Sequence, residues 1–392
     1  MVDRVTQDGV MRLLAEMTGG KSYKAHKFAL DGFERPSLDY GDSRLVWERW
    51  AETTLHRSYV DLTSICKTLA RKDDQILTHF LDGSRRVFKV DDMAFQQAGG
   101  RTAIYPILAG QIGVGCCQRI DKRLIPVAYR REFVLSMPDI ADADGKPGFW
   151  PATAQKISEC ERLRRLGIAF STVLPYKTSK SSQEEYEDRG TACIQDRMIE
   201  DEKELVAELV RQGRLNQDNY LVKDGSLEYR LSPEDSKDRR RYQTFKNNYS
   251  WVIGVSKTFN PEICFDRSGR SNPGLIAELP PFHRTPVAEY CNPMLGDIKF
   301  AIWYIRLRDK HWTRTPFDGV LKVEKILVTR EEVERGIESE LVDTLSAYLI
   351  NERNPTCYGT GPRWANHIYP VYLTESYVKS LYISTESFLN LF

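Results

Sequence analysis

Three apolar segments follow one another at short intervals between residues 78 and 136, and they constrain the fold more than any other feature. The segments 78–91, 101–117 and 124–136 contain many β-branched and small apolar residues, which are typical of buried strands. Short connections join antiparallel neighbours, because a parallel pair needs a long crossover. The sequence therefore predicts an antiparallel meander of three strands.

Further strands and helices are predicted after this meander. Strands are expected over a short segment that ends at Asp224 and over 249–259, 298–308 and 319–328, and helices over 193–212, 330–352 and 373–390. A long helix is expected over 44–72, with Asp42 or Ser43 as its cap, because its apolar residues recur at nearly helical spacing. Strands and helices alternate, so the predicted fold is α/β, with one mixed sheet flanked by helices.

Length and composition narrow the class of protein. The 392 residues suit one large domain with insertions, or two subdomains. Mean hydropathy is −0.47, and the N-terminus lacks the apolar stretch of a secretory signal. The eight cysteines form no CxxC pair, which favours reduced thiols in a cytoplasmic protein without a membrane span. A net charge of only +1 means that any nucleic-acid contact requires a local basic surface.

Two short segments share one form, an Asp that follows apolar strand residues and precedes Gly-Ser. They are FLDGS, with Asp82, and LVKDGSL, with Asp224. The first segment is expected to be a strand with a turn or bulge at Asp82-Gly83-Ser84. A carboxylate at a strand end is held by the sheet and still reaches solvent, and a neighbouring Gly allows close approach. An ordinary Asp-Gly turn is the alternative interpretation of each segment.

The helix predicted over 193–212 supplies a third carboxylate. Its apolar side chains average to a direction close to Glu202, so Glu202 is expected on the apolar face. A buried Glu is costly unless it is paired or binds a cation. The alternatives are that Glu202 lies at the edge of this face and reaches water, or that Glu200 or Glu204 takes its place.

Three carboxylates together would form a site of hard oxygen ligands suited to Mg²⁺ or Mn²⁺, and the candidates are Asp82, Glu202 and Asp224. A divalent ion bound there could activate a water for the hydrolysis of a phosphodiester. Lys257 on the strand VSKTF is a candidate to stabilise the developing charge or contact a phosphate. No P-loop, dinucleotide-binding fingerprint or HExxH motif occurs in the sequence.

These motifs, in this order, resemble the NurA nucleases. The resemblance rests on Asp82-Gly83-Ser84, then Glu202, then Asp224-Gly225-Ser226-Leu227, then Gly254-Val255-Ser256-Lys257, and covers roughly residues 75–392. It implies a nuclease domain with a ribonuclease-H-like core over 76–392, which would follow the N-terminal helical extension predicted from the residues of 1–75 themselves. It also implies Mn²⁺- or Mg²⁺-dependent exonuclease and single-strand endonuclease activity on DNA, a homodimer, and a HerA-type hexameric ATPase as partner.

Carried over by residue, the resemblance makes Asp82, Glu202 and Asp224 metal ligands. The family's C-terminal pattern fits Pro370 and Leu373, but Tyr377 stands where that pattern has a catalytic His. A Tyr can contact phosphate but cannot replace His as an acid or base at neutral pH. His367 is an alternative, and Tyr304 matches a Tyr that the family uses on a later strand. Arg85 and Arg86 follow Asp82 closely and are candidate DNA contacts.

Three functions remain open from the sequence. The first is a DNA nuclease in end processing or anti-phage defence. The second, motivated by Tyr377, is a weak or inactive scaffold that docks on an ATPase ring and guides DNA. The third is a ribonuclease-H-like enzyme that acts on RNA or RNA–DNA hybrids, because no residue pattern separates DNA from RNA.

Overall fold

The computed structural model describes residues 45–54, 59–72, 75–96, 101–142, 145–159, 161–179, 186–229, 238–266, 268–292, 298–357 and 362–392. Within these residues the strands are, in chain order, β1 (Val46–Trp50), β2 (Val60–Asp61), β3 (Leu77–Gln96), β4 (Thr102–Ile120), β5 (Arg123–Pro138), β6 (Phe170–Tyr176), β7 (Tyr220–Asp224), β8 (Val252–Ser256), β9 (His283–Arg284), β10 (Ala288–Cys291), β11 (Lys299–Arg306) and β12 (Val320–Ile326).

The α-helices of the described residues alternate with these strands. They are α1 (Thr63–Leu69), α2 (Phe149–Ser158), α3 (Glu161–Arg165), α4 (Tyr186–Arg211), α5 (Arg239–Asn248), α6 (Gly274–Ala277), α7 (Arg330–Arg335), α8 (Ser339–Asn351), α9 (Tyr369–Ser380) and α10 (Thr385–Leu389). The interleaving confirms the predicted α/β class.

The described residues form two compact units. The first contains the described chain up to Arg71 together with Ser256–Ile368, and the second contains Lys72–Val255 together with Tyr369–Phe392. In the first unit β1, β10, β11 and β12 are antiparallel neighbours in that order, and the short pair β2–β9 joins at β11. Its core includes the fully buried side chains of Trp303 and Phe300.

The second unit has the sheet order β6-β5-β4-β3-β7-β8. The strands β3, β4 and β5 are antiparallel, which confirms the predicted meander. Next to the meander, β7 runs parallel to β3 and β8 runs parallel to β7. The sheet of this unit is therefore mixed, as predicted: two strands parallel to β3 follow the meander, and β6 is added parallel to β5 at the other edge.

Helices α4 and α9 cover opposite faces of the second unit's sheet. A Cβ added to Gly110 of β4 would meet Ile194 of α4, whereas one added to Gly115 would meet Val378 of α9. Residues 110 and 115 differ in parity, and successive side chains of a strand point to opposite faces. The apolar stripe of α4, which includes Ile194, Leu205 and Leu209, is buried on its face.

The prediction of one long helix over 44–72 is wrong where the structure describes this segment. Residues Val46–Trp50 form β1, which pairs with β10, and only Thr63–Leu69 are helical. Pairing with a partner more than 200 residues away overrides the local helical spacing. Residues 1–44 lie outside the described residues, so the predicted division at residue 75 stays a prediction.

Other expected elements differ in extent. The helix predicted over 330–352 is two helices, because α7 ends at Gly336 with a φ of 86° and α8 begins at Ser339. A Cβ at Gly336 would lie 2.3 Å from the backbone carbon of Ala51, so the chain turns where only glycine fits. Residues 137–152, which are rich in Asp, Gly and Pro and typical of a loop, contain the end of β5 and the start of α2.

Two expectations drawn from the composition concern membrane-spanning segments and the state of the cysteines. In the described residues no helix is long and apolar enough to cross a membrane. Seven cysteines are described, and all are free thiols, as predicted; Cys160 lies outside the described residues.

Candidate metal centre

Asp82 and Asp224 lie on the neighbouring parallel strands β3 and β7 of the second unit. Asp224 is the last residue of β7, and Gly225 after it has a φ of 90°, which favours glycine. At Asp82, however, the predicted turn or bulge is wrong. The strand continues in regular register, with Asp82 opposite Gly115 and Ser84 opposite Gly113. The two similar sequence segments therefore have different backbone structures, although each presents an Asp.

A third carboxylate, Glu375 of α9, joins these two. Ligand oxygens of Asp82, Asp224 and Glu375 all lie within 4.8 Å of one another. Asp82 and Glu375 are buried, and Asp224 is half-buried. The sequence contains no signal for Glu375, because the apolar residues of this segment do not average to its side of the helix. Its place on one buried helix face with Val371, Thr374 and Val378 is seen only in the structure.

Glycines on β4 bring α9 close to the sheet. A Cβ at Gly113 would lie 2.9 Å from Val378 Cγ1, and one at Gly115 would lie 2.7 Å from Val378 Cγ2. The chain after α9 is also held on β4, because the Gln111 amide nitrogen donates to the Ile383 carbonyl (3.2 Å) and Gln111 Oε1 accepts from the Ile383 N–H (3.0 Å). Since Gly115 lies opposite Asp82, this close packing places Glu375 beside Asp82.

The charge of this cluster is unfavourable without a cation. At an effective dielectric constant near 20, two carboxylates about 5 Å apart repel by roughly 3 kcal/mol. Lys379, one turn further along α9, forms an ion pair with Glu375 at 2.5 Å, but its side chain is partly exposed, so the pair is screened by solvent. Three converging carboxylates are the hard oxygen ligands that Mg²⁺ and Mn²⁺ prefer. The donor set therefore fits such an ion.

Glu202 lies on the other face of the sheet from this cluster. Its carboxylate rests on Gly83, whose added Cβ would lie 2.3 Å from Glu202 Oε1. Gly83 and Asp82 are successive strand residues and point to opposite faces. Lys223 pairs with Leu81 in the parallel register of β3 and β7, so Lys223 shares the Gly83 face. The structure thus brings Asp82 and Asp224 together, and places Glu202 beside Lys223.

The Glu202–Lys223 pair is deeply buried. Lys223 Nζ lies 3.0 Å from Glu202 Oε2, and the two side chains are 7% and 3% exposed. Burial raises the pKa of the Glu202 carboxyl, and the Lys223 ammonium opposes that shift. Burial also acts to lower the pKa of Lys223, but the neighbouring Glu202 and Asp224 outweigh it and leave that pKa raised. Lys223 therefore remains a cation at neutral pH.

Arg85 and Arg86 point to opposite faces of β3. Arg85 donates to Gln195 of α4, whereas the Arg86 guanidinium lies over the Tyr382 ring, 5.1 Å from its centroid. Arg86 has the same parity as Asp82, so the two share one face, four residues or roughly 13 Å apart. Of the two arginines predicted to contact DNA, only Arg86 lies on the face of the carboxylate cluster; Lys257, the third predicted contact, belongs to the first unit.

The remaining predicted residues are placed as follows. Tyr377 of α9 is half-buried, with its ring 5.8 Å from that of Tyr129, and its Cε1 would lie 3.7 Å from a Cβ at Gly115.

Three further predicted residues belong to the first unit, namely Tyr304, Lys257 and His367. Tyr304 is 2% exposed and packs on Phe259, Lys257 is half-buried directly after β8, and His367 is buried. Catalytic roles for these residues stay predictions.

No protein-family model matches the chain, and no curated protein sequence matches it significantly. A solved structure that resembles it is the crystal structure of the NurA nuclease from Sulfolobus solfataricus, with 12% sequence identity and a TM-score of 0.38, over 84% of this chain and 90% of that chain.

Proposed function

We propose that this protein is a metal-dependent nuclease that hydrolyses phosphodiester bonds in DNA. The observation that carries the proposal is the convergence of Asp82, Asp224 and Glu375 within 4.8 Å on one face of a ribonuclease-H-like sheet. The resemblance of the motifs in residues 75–392 to those of NurA nucleases supports DNA as the substrate.

The chain's own residues would hold the reacting groups in place. Asp82 and Asp224 sit on paired strands, so their positions are set by backbone hydrogen bonds rather than by flexible loops. Glu375 is set by the packing of α9 on Gly113 and Gly115. A bound Mn²⁺ or Mg²⁺ would polarise the phosphate and activate a water. Arg86, on the same face, would hold a neighbouring phosphate and fix the strand's register.

The finer parts of the proposal come from the family resemblance. They are exonuclease and single-strand endonuclease activity, a homodimer, a HerA-type hexameric ATPase that delivers DNA, and a cytoplasmic role in DNA end processing or anti-phage defence. The net charge of +1 limits non-specific attraction to DNA, which is consistent with a need for a partner that delivers the substrate.

The direct experiment is cleavage of end-labelled single- and double-stranded DNA with Mn²⁺, Mg²⁺ or EDTA. Asp82→Ala should abolish metal-dependent cutting while the fold is kept. Asp218→Ala is a matched control, because Asp218 is an exposed residue in the turn before β7. Equal cutting by wild type and Asp82→Ala would contradict the proposal. RNA and RNA–DNA hybrids in the same panel decide whether DNA is the preferred substrate.

A second candidate is a scaffold that binds an ATPase ring and guides DNA without cutting it. The observation that favours it is Tyr377, which stands where the family pattern has a catalytic His. A scaffold should show neither Mn²⁺-dependent cleavage nor a rise in melting temperature with Mn²⁺. A rise of several degrees that is absent from Asp82→Ala would count against it.

A further inference from the structure

The loop between β11 and β12 of the first unit presents an exposed tryptophan. This loop covers residues 307–319 and contains a short 3-10 helix, Lys310–Trp312. Trp312 is 74% exposed, whereas the other tryptophans of the described residues are buried or half-buried. Tryptophan is one of the more deeply buried residue types on average. The packing of the core therefore does not account for Trp312.

Hydrogen bonds order the backbone on both sides of the ring. The Asp309 carboxylate accepts from the His311 N–H at 2.9 Å, and the Trp312 N–H donates to the Asp309 carbonyl at 3.1 Å. The hydroxyl of Thr313, which is buried, donates to the Lys310 carbonyl at 3.1 Å. These bonds use backbone and small polar groups, so the indole ring is not needed to form them.

The rest of the loop is anchored to β11. The buried Arg306 guanidinium donates to the carbonyls of Pro316 at 2.7 Å and Asp318 at 3.3 Å. The Asp318 carboxylate in turn accepts from the Arg314 N–H at 3.1 Å. An ordered loop that carries a rigid ring loses little conformational entropy when the ring binds a ligand. Trp312 is thus prepared for a contact rather than for the stability of the fold.

Basic side chains flank the exposed ring. Lys310, His311 and Arg314 lie within two residues of Trp312, and His311 and Arg314 are exposed. Lys310 Nζ lies 3.7 Å from Glu278, so part of this charge is balanced. The loop 307–319 has three Lys or Arg and two Asp, a formal net charge of +1. The ring rather than the charge is therefore expected to supply most of the binding energy.

A flat ring between cations matches an unpaired base between phosphates. Every base has a π-face on which an aromatic side chain can stack, and lysine or arginine beside the ring can contact the backbone phosphates. A duplex keeps its bases stacked and offers such a ring no base face. A protein partner that takes up Trp312 is the alternative, but lysine is depleted from protein–protein interfaces. The combination favours single-stranded nucleic acid.

We propose that Trp312 stacks on one base of single-stranded DNA, while Lys310 and Arg314 contact the neighbouring phosphates. This inference rests on the proposed function, because it takes DNA as the substrate. It deepens that function by assigning a single-strand contact to the first unit, on residues that belong neither to the carboxylate cluster nor to the predicted DNA contacts.

The test is binding of fluorescein-labelled oligo(dT) to the full chain in EDTA, measured by fluorescence anisotropy. Trp312→Ala should raise the dissociation constant by about tenfold or more, and Trp312→Phe, which keeps a flat ring, by less than about threefold. Leu166→Ala is the control, because Leu166 is also well exposed, at 58%, but has no π-face. Equal binding by wild type and Trp312→Ala, or no binding by wild type, would overturn the inference and favour a protein partner for this surface.

Two further measurements separate stacking from charge and from damage to the fold. Arg314→Ala should lower the salt-dependence slope of log K by about 0.7, whereas Trp312→Ala should weaken binding without a change in slope or in melting temperature. Relaxed circular duplex DNA should bind wild type and Trp312→Ala equally. An equal loss of affinity for both forms of DNA would overturn the stacking contact.

Cleavage in Mn²⁺ distinguishes failure of the inference from failure of the proposed function. If wild type cuts DNA but Trp312→Ala binds oligo(dT) as wild type does, only the inference is overturned. If wild type cuts no DNA, the proposed function is overturned, whatever the effect of Trp312→Ala on binding.

Discussion

Gly83 lies directly beneath the carboxylate of Glu202, so closely that an alanine Cβ at this position would be 2.3 Å from Glu202 Oε1. The glycine is therefore required by packing rather than by a turn, because the strand is regular at this point. The Asp-Gly-Ser sequence places the Asp82 carboxylate on one face and makes space for Glu202 on the other.

Gly83→Ala should destabilise the protein by about 1–3 kcal/mol, because overpacking forces buried groups to move. The measurement is urea denaturation of the two single variants and of the double variant Gly83→Ala with Glu202→Ala. The double variant should be more stable than the sum of the single effects predicts, because the clash is removed. Strict additivity would show that Gly83 and Glu202 do not interact.

Arg86→Ala should weaken DNA binding, and Arg85→Ala should leave it nearly unchanged. The two residues are neighbours on β3, but Arg86 shares the face of Asp82 while Arg85 contacts Gln195 on the α4 face. Loss of one phosphate contact lowers the salt-dependence slope of log K by about 0.7–0.9. Binding of labelled DNA at several salt concentrations measures this slope, and an equal effect of both substitutions would contradict the assignment of faces.

Tyr377→Phe should lower the rate of cleavage by about tenfold, about 1.4 kcal/mol in activation free energy, without a change in melting temperature. The substitution keeps the ring that packs on Tyr129 and removes only the hydroxyl, which is proposed to contact phosphate. Cleavage kinetics and thermal unfolding are compared on the same preparations. Unchanged kinetics would exclude a role for the hydroxyl and leave the ring contact as the reason for Tyr377.

His79 should make the protein less stable in acid. It is fully buried, and burial, aided by the charge of Arg214, lowers its pKa from 6.5 to about 4. Between these two values the unfolded chain binds a proton that the folded protein does not, so stability falls as pH drops from 6.5 toward 4. The loss amounts to about 2–3 kcal/mol.

This pH effect is isolated by comparison with His79→Gln, which should lack that part of the acid destabilisation. His311→Gln serves as control, because the His311 side chain is 90% exposed. Urea denaturation from pH 7 to pH 4 gives the three profiles. If His79→Gln follows the wild-type profile throughout, His79 is not the group responsible.

The sequence was sufficient to predict the meander β3–β5, the strand that ends at Asp224 and the inward face of α4, because these depend on local spacing. It was not sufficient for β1, whose pairing with Ala288–Cys291 is set by residues far along the chain. The two Asp residues of the cluster were found because each follows an apolar strand. Glu375 could not be found in this way, because it follows no strand and the apolar residues around it do not average to its side of the helix.

Glu202 shows why helix periodicity alone does not assign a ligand. The prediction that Glu202 faces inward is confirmed by its burial, but periodicity does not say which face of the sheet the helix covers. The partner, Lys223, precedes Asp224 in the sequence and points away from it, and only the three-dimensional register reveals this. The role of Glu202 as a metal ligand therefore stays a prediction.

The most direct test of the central claim is cleavage of end-labelled DNA by Glu375→Gln, compared with wild type and Glu386→Gln, in Mn²⁺ and in EDTA. Glu375 contributes to the carboxylate cluster, whereas Glu386 is an exposed residue of α10. We expect Mn²⁺-dependent cutting by wild type and Glu386→Gln, abolished by EDTA, and a rate reduced by about 100-fold or more in Glu375→Gln, equivalent to about 2.7 kcal/mol. Cutting by Glu375→Gln at the wild-type rate, or cutting by wild type in EDTA, would contradict the account.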